Sequence, residues 1–89
     1  MATILLNKND NNFRANVTVT PGTTNITFLV KGSTADCLVY RPPGGGLVDR
    51  KTGITAGNTA KVSGVAAGEQ IQVQINPRDA TLGNATVTY

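Results

Sequence analysis

Hydrophobic and polar residues alternate with a period of two along much of this chain. The pattern is clearest where Gln70, Gln72 and Gln74 alternate with three branched aliphatic residues. Such alternation is typical of a strand with one face buried and the other in water. The same pattern predicts strands near residues 2–6, 13–20, 26–31, 37–41, 70–75 and 85–89, with weaker candidates at Gly46–Asp49 and Thr59–Val65.

No segment predicts a helix, because ten glycines interrupt the chain and would break any helical stripe. Turn signals such as Pro21-Gly22 and Gly83-Asn84 separate the apolar runs. Short strands at this spacing are typical of a sandwich or barrel. The sequence therefore predicts an all-β fold: a single small β-sandwich or open barrel, Ig-like or jelly-roll-like, with seven or eight short, mostly antiparallel strands.

The apolar phase of these strands gives the predicted core. Its members are Val17, Val19, Ile26, Phe28, Val30, Val73, Ile75 and Val87. A chain of 89 residues closes one such core, so we expect a single domain over residues 1–89. With only two Phe and two Tyr, the core is mainly aliphatic and its stability margin is small. Partner subunits often supply the missing stability, so we expect a homo-oligomer, with a trimer among the options.

Side chains that support catalysis are scarce. Histidine is absent, the five carboxylates are scattered singly, and Cys37 is the one cysteine. Without a histidine, nothing obvious activates the Cys37 thiol, and we expect it to be buried and inert. A pair of carboxylates brought together by folding, as in a glycosidase, is an open alternative. We interpret the chain as a protein that is not an enzyme and needs no cofactor.

One polar segment, Asn7–Asn12, offers side-chain oxygens at alternate positions, as a calcium loop does. A calcium loop also needs several carboxylates and a suitably placed glycine, whereas this segment has one aspartate, Asp10, and a lysine, Lys8. We therefore interpret it as an asparagine-rich turn and predict no metal site.

Charge and cysteine content narrow the class of partner. The net charge of +3 is spread along the chain, and Arg50 and Lys51 are the only adjacent basic pair. Nucleic-acid binders usually carry a basic stripe with aromatic platforms, so no nucleic-acid partner is expected. The apolar start lacks a basic region and is too short for a signal peptide or a membrane span. A lone cysteine also fits a reducing compartment, and we expect synthesis in the cytoplasm and no membrane partner.

Two segments are poorly explained by the domain's own strand pattern and are the predicted partner contacts. The first is an N-terminal strand or arm over residues 2–12, whose apolar run is an edge-strand candidate. The second is a projecting loop over residues 41–58, stiffened by two prolines and loosened by three glycines. The predicted contact residues are Ile4, Leu5, Leu6, Leu47, Val48, Arg50 and Lys51.

A small all-β chain that is rich in Thr, Asn and Gly and has no catalytic residues resembles the decoration, or cement, proteins of tailed-bacteriophage capsids. The likeness covers the whole chain in size and composition and rests on no motif. It implies a sandwich, jelly roll or open β fold that binds the major capsid protein or another virion subunit on the capsid surface and stabilises the lattice. The alternative is a fibre, spike or adhesin-type module that recognises a surface ligand.

Overall fold

The computed structural model of the protein describes residues 2–7, 13–42, 45–79 and 82–89. These residues form eight strands and no helix. In chain order the strands are β1 (Thr3–Asn7), β2 (Arg14–Thr18), β3 (Ile26–Lys31), β4 (Ala35–Tyr40), β5 (Leu47–Ile54), β6 (Thr59–Val62), β7 (Gln70–Pro77) and β8 (Asn84–Thr88).

The strands form two four-stranded antiparallel sheets. Sheet A has the order β1-β8-β3-β6, and sheet B has the order β2-β7-β4-β5. Four of the strand pairs are β1 with β8, β2 with β7, β3 with β6 and β4 with β5, which is the pairing of one long hairpin. The hairpin is then rolled so that β3 also pairs with β8 and β4 with β7. This is the strand order of an eight-stranded jelly roll, and the predicted all-β sandwich is confirmed.

The core lies between the two sheets and uses one face of each. In β7, Ile71, Val73 and Ile75 have no exposed surface, whereas the glutamines between them face outwards. Phe28 is the largest fully buried side chain. The predicted core is confirmed in full, since every member is at most 8% exposed: Val17, Val19, Ile26, Phe28, Val30, Val73, Ile75 and Val87.

The first strand belongs to the protein's own sheet. All five residues of β1 pair with β8, and Leu6 is completely buried in the core. The apolar run at the start of the chain is therefore an edge strand of sheet A. Residues 8–12, which complete the predicted arm and the asparagine-rich turn, lie outside the described residues.

The predicted projecting loop over residues 41–58 is wrong in its central part, because Leu47–Ile54 form β5 and pair with β4. Two register shifts interrupt this pairing, and most β5 side chains are exposed. A bulged strand on the edge of a sheet has no continuous apolar phase, so the sequence carries little sign of it. The weak candidate at Gly46–Asp49 overlaps the start of β5, and the one at Thr59–Val65 contains all of β6.

Candidate interaction surfaces

Reactive side chains form no cluster in the described part of the chain. Cys37 has no exposed surface, and burial, helped by the charge of the neighbouring Asp36, raises its pKa to about 12. A thiol with that pKa is protonated at neutral pH and is a poor nucleophile. Among the described residues there is no group of three or more cysteine, aspartate or glutamate side chains able to hold a metal ion.

The carboxylate of Asp36 fastens β4 to the β5 edge strand. It accepts a hydrogen bond from the Gly53 backbone N–H at 2.9 Å, and the Arg78 guanidinium lies 3.4 Å away. That backbone bond, followed by Arg78, lowers the Asp36 pKa below its usual value. The carboxylate thus holds a bulged edge, which is a structural role.

Two other carboxylates have their own basic partners. Glu69 accepts a hydrogen bond from Arg41 at 2.8 Å, and the same guanidinium donates to the Gly64 carbonyl at 2.7 Å. Asp49 accepts from the Arg50 backbone N–H at 2.8 Å and lies 3.2 Å from the Lys51 ammonium. These contacts tie the chain to itself around β5 and the β6–β7 connection.

Of the predicted N-terminal contact residues, only Leu5 presents much side-chain surface. Leu5 is 48% exposed, whereas Ile4 is half-buried against the core and Leu6 is fully buried. The phase of β1 explains the difference, because alternate side chains point to opposite faces of a strand. The sequence predicts Leu6 as a contact residue, but in the folded chain its side chain has no exposed surface.

The predicted contact residues in β5 divide in the same way. Leu47 is 46% exposed and pairs with Tyr40. Arg50 and Lys51 are exposed, and Val48 is half-buried against the core. The structure does not bring the two predicted segments together. β1 is one edge of sheet A, whereas β5 is an edge of sheet B and contacts β6 at the opposite edge of sheet A.

A groove on the outer face of sheet B lies beside Leu47. This Tyr40 groove, lined by Tyr40, Pro42, Leu47 and Gln72 among others, has a volume of about 500 Å³. Pro42 also lines a smaller depression of about 290 Å³. Its lining comes from β4, β5, β7 and the segment after β4, so no local motif in the sequence indicates it.

The same face carries a ladder of amide side chains. The amide ladder consists of Asn16, Gln70, Gln72, Gln74 and Asn76, all on the solvent side of β2 and β7. Gln72 donates to Asn16 at 3.4 Å and Gln74 donates to Asn76 at 3.1 Å. Each amide has more donors and acceptors than these bonds use, so the ladder offers hydrogen bonds to a polar partner.

The outer face of sheet A is different, because threonine and leucine dominate it. One row across the strands places Thr3 of β1, Thr88 of β8 and Thr27 of β3 side by side, and the next row contains Leu5 and Leu29. The Thr3 and Thr88 hydroxyls lie 3.4 Å apart. The β1 side of this face carries no charged residue among those described, a composition typical of interface centres.

Comparison with known proteins finds no family model, characterised protein or solved structure that matches this chain. Within the described residues, no helix is long and apolar enough to span a membrane.

Proposed function

We propose that this chain is a non-enzymatic structural protein of a virion, a decoration or cement protein that binds an assembled capsid lattice and stabilises it. The observation that carries the proposal is the strand order. Eight strands in two rolled sheets are the architecture of many viral capsid domains, although lectins and cupins also use it. Because one fold hosts many unrelated functions, the side chains on the surface must also fit a decoration role.

The described side chains support binding better than catalysis. Cys37 is buried and protonated, and Asp36, Asp49 and Glu69 each have basic or backbone partners within the chain. A decoration protein needs no reactive group. It needs a rigid domain and a contact surface that repeats with the lattice, and the jelly roll supplies the rigid domain.

The contact surface that we propose for the lattice is the Tyr40 groove with the exposed part of β5. Leu47 offers an exposed apolar side chain at the rim of the groove, and Tyr40 lies opposite it on β4. Arg50 and Lys51 continue along the same edge and are exposed. An aromatic and an aliphatic residue beside basic groups fit an apolar side chain flanked by carboxylates on a capsid subunit.

Cosedimentation with capsids tests this function. The purified chain is mixed with particles assembled from the major capsid protein encoded nearest to its gene, and bound protein is measured after centrifugation. We expect saturable binding at a fixed ratio of chains to lattice subunits, and capsids that withstand higher temperature when decorated. Absence of saturable binding would refute the decoration function.

Paired variants test the surface. Leu47→Asp and the double change Arg50→Glu with Lys51→Glu should each weaken binding at least about tenfold, through lost apolar contact and reversed charge. Matched controls are Leu82→Asp, at an exposed leucine between β7 and β8, and Lys31→Glu, at an exposed lysine that ends β3 in sheet A. Binding that is saturable but equally unaffected by all four variants would leave the function standing and contradict the β5 surface.

A second candidate function is an adhesin-like or fibre-like module that recognises a surface ligand, because the amide ladder lies on the same face as the two depressions. Asn16 and Gln70 line the smaller depression, and Gln72 lines the larger one. Amides that donate and accept together suit the hydroxyl groups of a glycan. Binding to an array of immobilised glycans that is lost in Gln72→Ala, without binding to capsids, would favour this function over decoration.

A further inference from the structure

The four sheet edges of the jelly roll are not equally protected against pairing with another strand. Edge strands normally carry charges, bulges or prolines, or are very short, and these features prevent edge-to-edge association. β5 has two register shifts and three charged residues, β6 has four residues and includes Lys61, and β2 begins with Arg14. β1, with the sequence Thr-Ile-Leu-Leu-Asn, has none of these features.

The hydrogen bonds of β1 show which of its backbone groups face outwards. Ala2 and Tyr89 exchange two backbone hydrogen bonds, at 2.9 and 2.8 Å. Bonded and non-bonded pairs alternate along an antiparallel ladder, so Ile4 also bonds to β8, whereas the N–H and C=O of Thr3 and Leu5 point away from it. No described residue bonds to these outward groups of Thr3 and Leu5.

The sequence of β1 is suited to pairing with itself. In an antiparallel pair centred on Leu5, Thr3 lies opposite Asn7 of the second copy, and Ile4 lies opposite Leu6. Polar residues therefore meet polar ones, and apolar residues meet apolar ones. The outward N–H and C=O of Leu5 meet those of Leu5 in the second copy. β1 contains no charged residue, so the pairing brings no like charges together within the two strands.

We propose that strand β1 pairs with β1 of a second copy of this chain across a two-fold axis at Leu5, joining two A sheets into one sheet of eight strands. The contact is isologous, as two-fold dimers require. A five-residue strand is only about 17 Å long, so the interface falls below the roughly 1,200 Å² of stable complexes. We expect a dissociation constant of about 10 μM to 1 mM.

Sedimentation equilibrium of the full chain tests the dimer. Runs from about 1 μM to a few mM bracket the expected range of affinity, and physiological salt screens the charge of +3 on each copy. The mean mass should rise from 9.2 kDa towards twice that value. A chain that stays monomeric over the whole range would overturn the proposal.

Two substitutions at Leu5 identify the interface. Leu5→Lys places like charges opposite each other at the axis, and Leu5→Pro removes the N–H that crosses it without removing a bond to β8. Each should raise the dissociation constant at least about tenfold, whereas Leu82→Lys, the same change at an exposed leucine between β7 and β8, should not. Circular dichroism checks the fold of each variant, and Leu5→Lys serves if Leu5→Pro unfolds.

A dimer that persists in Leu5→Lys would show that copies associate through another surface, and the β1 proposal would fail. The outcome is separate from the capsid proposal, which depends on β5. Leu47→Asp should still dimerise, and Leu5→Lys should still contact capsids as a monomer, because β1 and β5 lie at the edges of different sheets.

Discussion

Leu5 and Leu6 are neighbours with the same side chain, and the structure predicts opposite consequences when each is changed to alanine. Leu6 has no exposed surface and lies in the core between the sheets, whereas Leu5 is 48% exposed on the outer face of sheet A. Removing a fully buried leucine side chain costs about 2–5 kcal/mol, because apolar contacts are lost and a cavity remains. Removing one that is half exposed should cost about 1 kcal/mol or less.

These magnitudes are large against the total stability. A domain of this length is stabilised by roughly 4–13 kcal/mol, so Leu6→Ala removes a substantial part of it. Each kcal/mol lowers the melting temperature of such a domain by about 4–8 °C. Leu6→Ala should therefore melt at least about 8 °C below the unaltered chain, and Leu5→Ala no more than about 4–8 °C below it.

Urea and thermal unfolding at low micromolar concentration, followed by circular dichroism, measure both variants under conditions in which a weak dimer does not contribute. Unchanged denaturant slopes would show that the two variants unfold from the same native fold. If Leu6→Ala cost no more than Leu5→Ala, the start of the chain would be an arm outside the core, and the placement of β1 would be refuted.

Three further outcomes follow from buried or bonded groups. Cys37, with its pKa raised to about 12, should react with a thiol reagent at neutral pH only after unfolding in urea; rapid labelling of the native chain would contradict its burial. Gly32→Ala should destabilise the chain by more than about 2 kcal/mol, because the residue has φ +83° and an added methyl group would meet the Leu82 carbonyl. Gly22→Ala, at φ +88° with open space around it, should cost about 1 kcal/mol. Equal effects of the two changes in urea unfolding would exclude the close packing at Gly32. The pKa of Asp36 is lowered, so its ionised carboxylate stabilises the fold at any pH above the ordinary pKa of 3.8, and this stabilisation is lost as the pH falls through the lowered pKa. Asp36→Asn should therefore be less stable than the unaltered chain at pH 7 and equally stable at the acid end. A stability difference between the two chains that stays constant with pH would refute the electrostatic role.

The strands and the core were predictable because alternation records which face of a strand is buried. Every branched residue in the apolar phase of β7 lies in the core, and the glutamines between them lie outside. At Ile4-Leu5-Leu6 hydrophobic and polar residues do not alternate, since all three residues are apolar. Only the pairing of β1 with β8 decides that Leu6 points inwards and Leu5 outwards.

Strand order and the grooves were not predictable from the chain alone. The pairing of β1 with β8 joins residues from 77 to 85 positions apart, and nothing in a local pattern selects that partner over another strand. The Tyr40 groove combines Tyr40, Leu47 and Gln72 from three strands, so it exists only after the hairpin has rolled up. β5 was missed in part because its two bulges and exposed edge remove the alternation that marks the other strands.

The proposed β1 dimer should strengthen binding of the β5 surface to a capsid lattice. A dimer joined at β1 carries two β5 surfaces, one on each copy, and the second surface binds at the effective concentration set by the first. With an effective concentration of about 1 mM and a dimer dissociation constant of about 10 μM to 1 mM, such linkage raises the apparent affinity by up to about 10²-fold without any new contact to the lattice, provided that the spacing of the lattice matches the dimer. Leu5→Lys should therefore weaken binding to capsids while leaving binding to isolated capsid subunits unchanged, whereas Leu47→Asp should weaken both. Equal loss on capsids and on isolated subunits in Leu5→Lys would mean that β1 touches the capsid protein directly, and the division of roles between the two edges would be wrong.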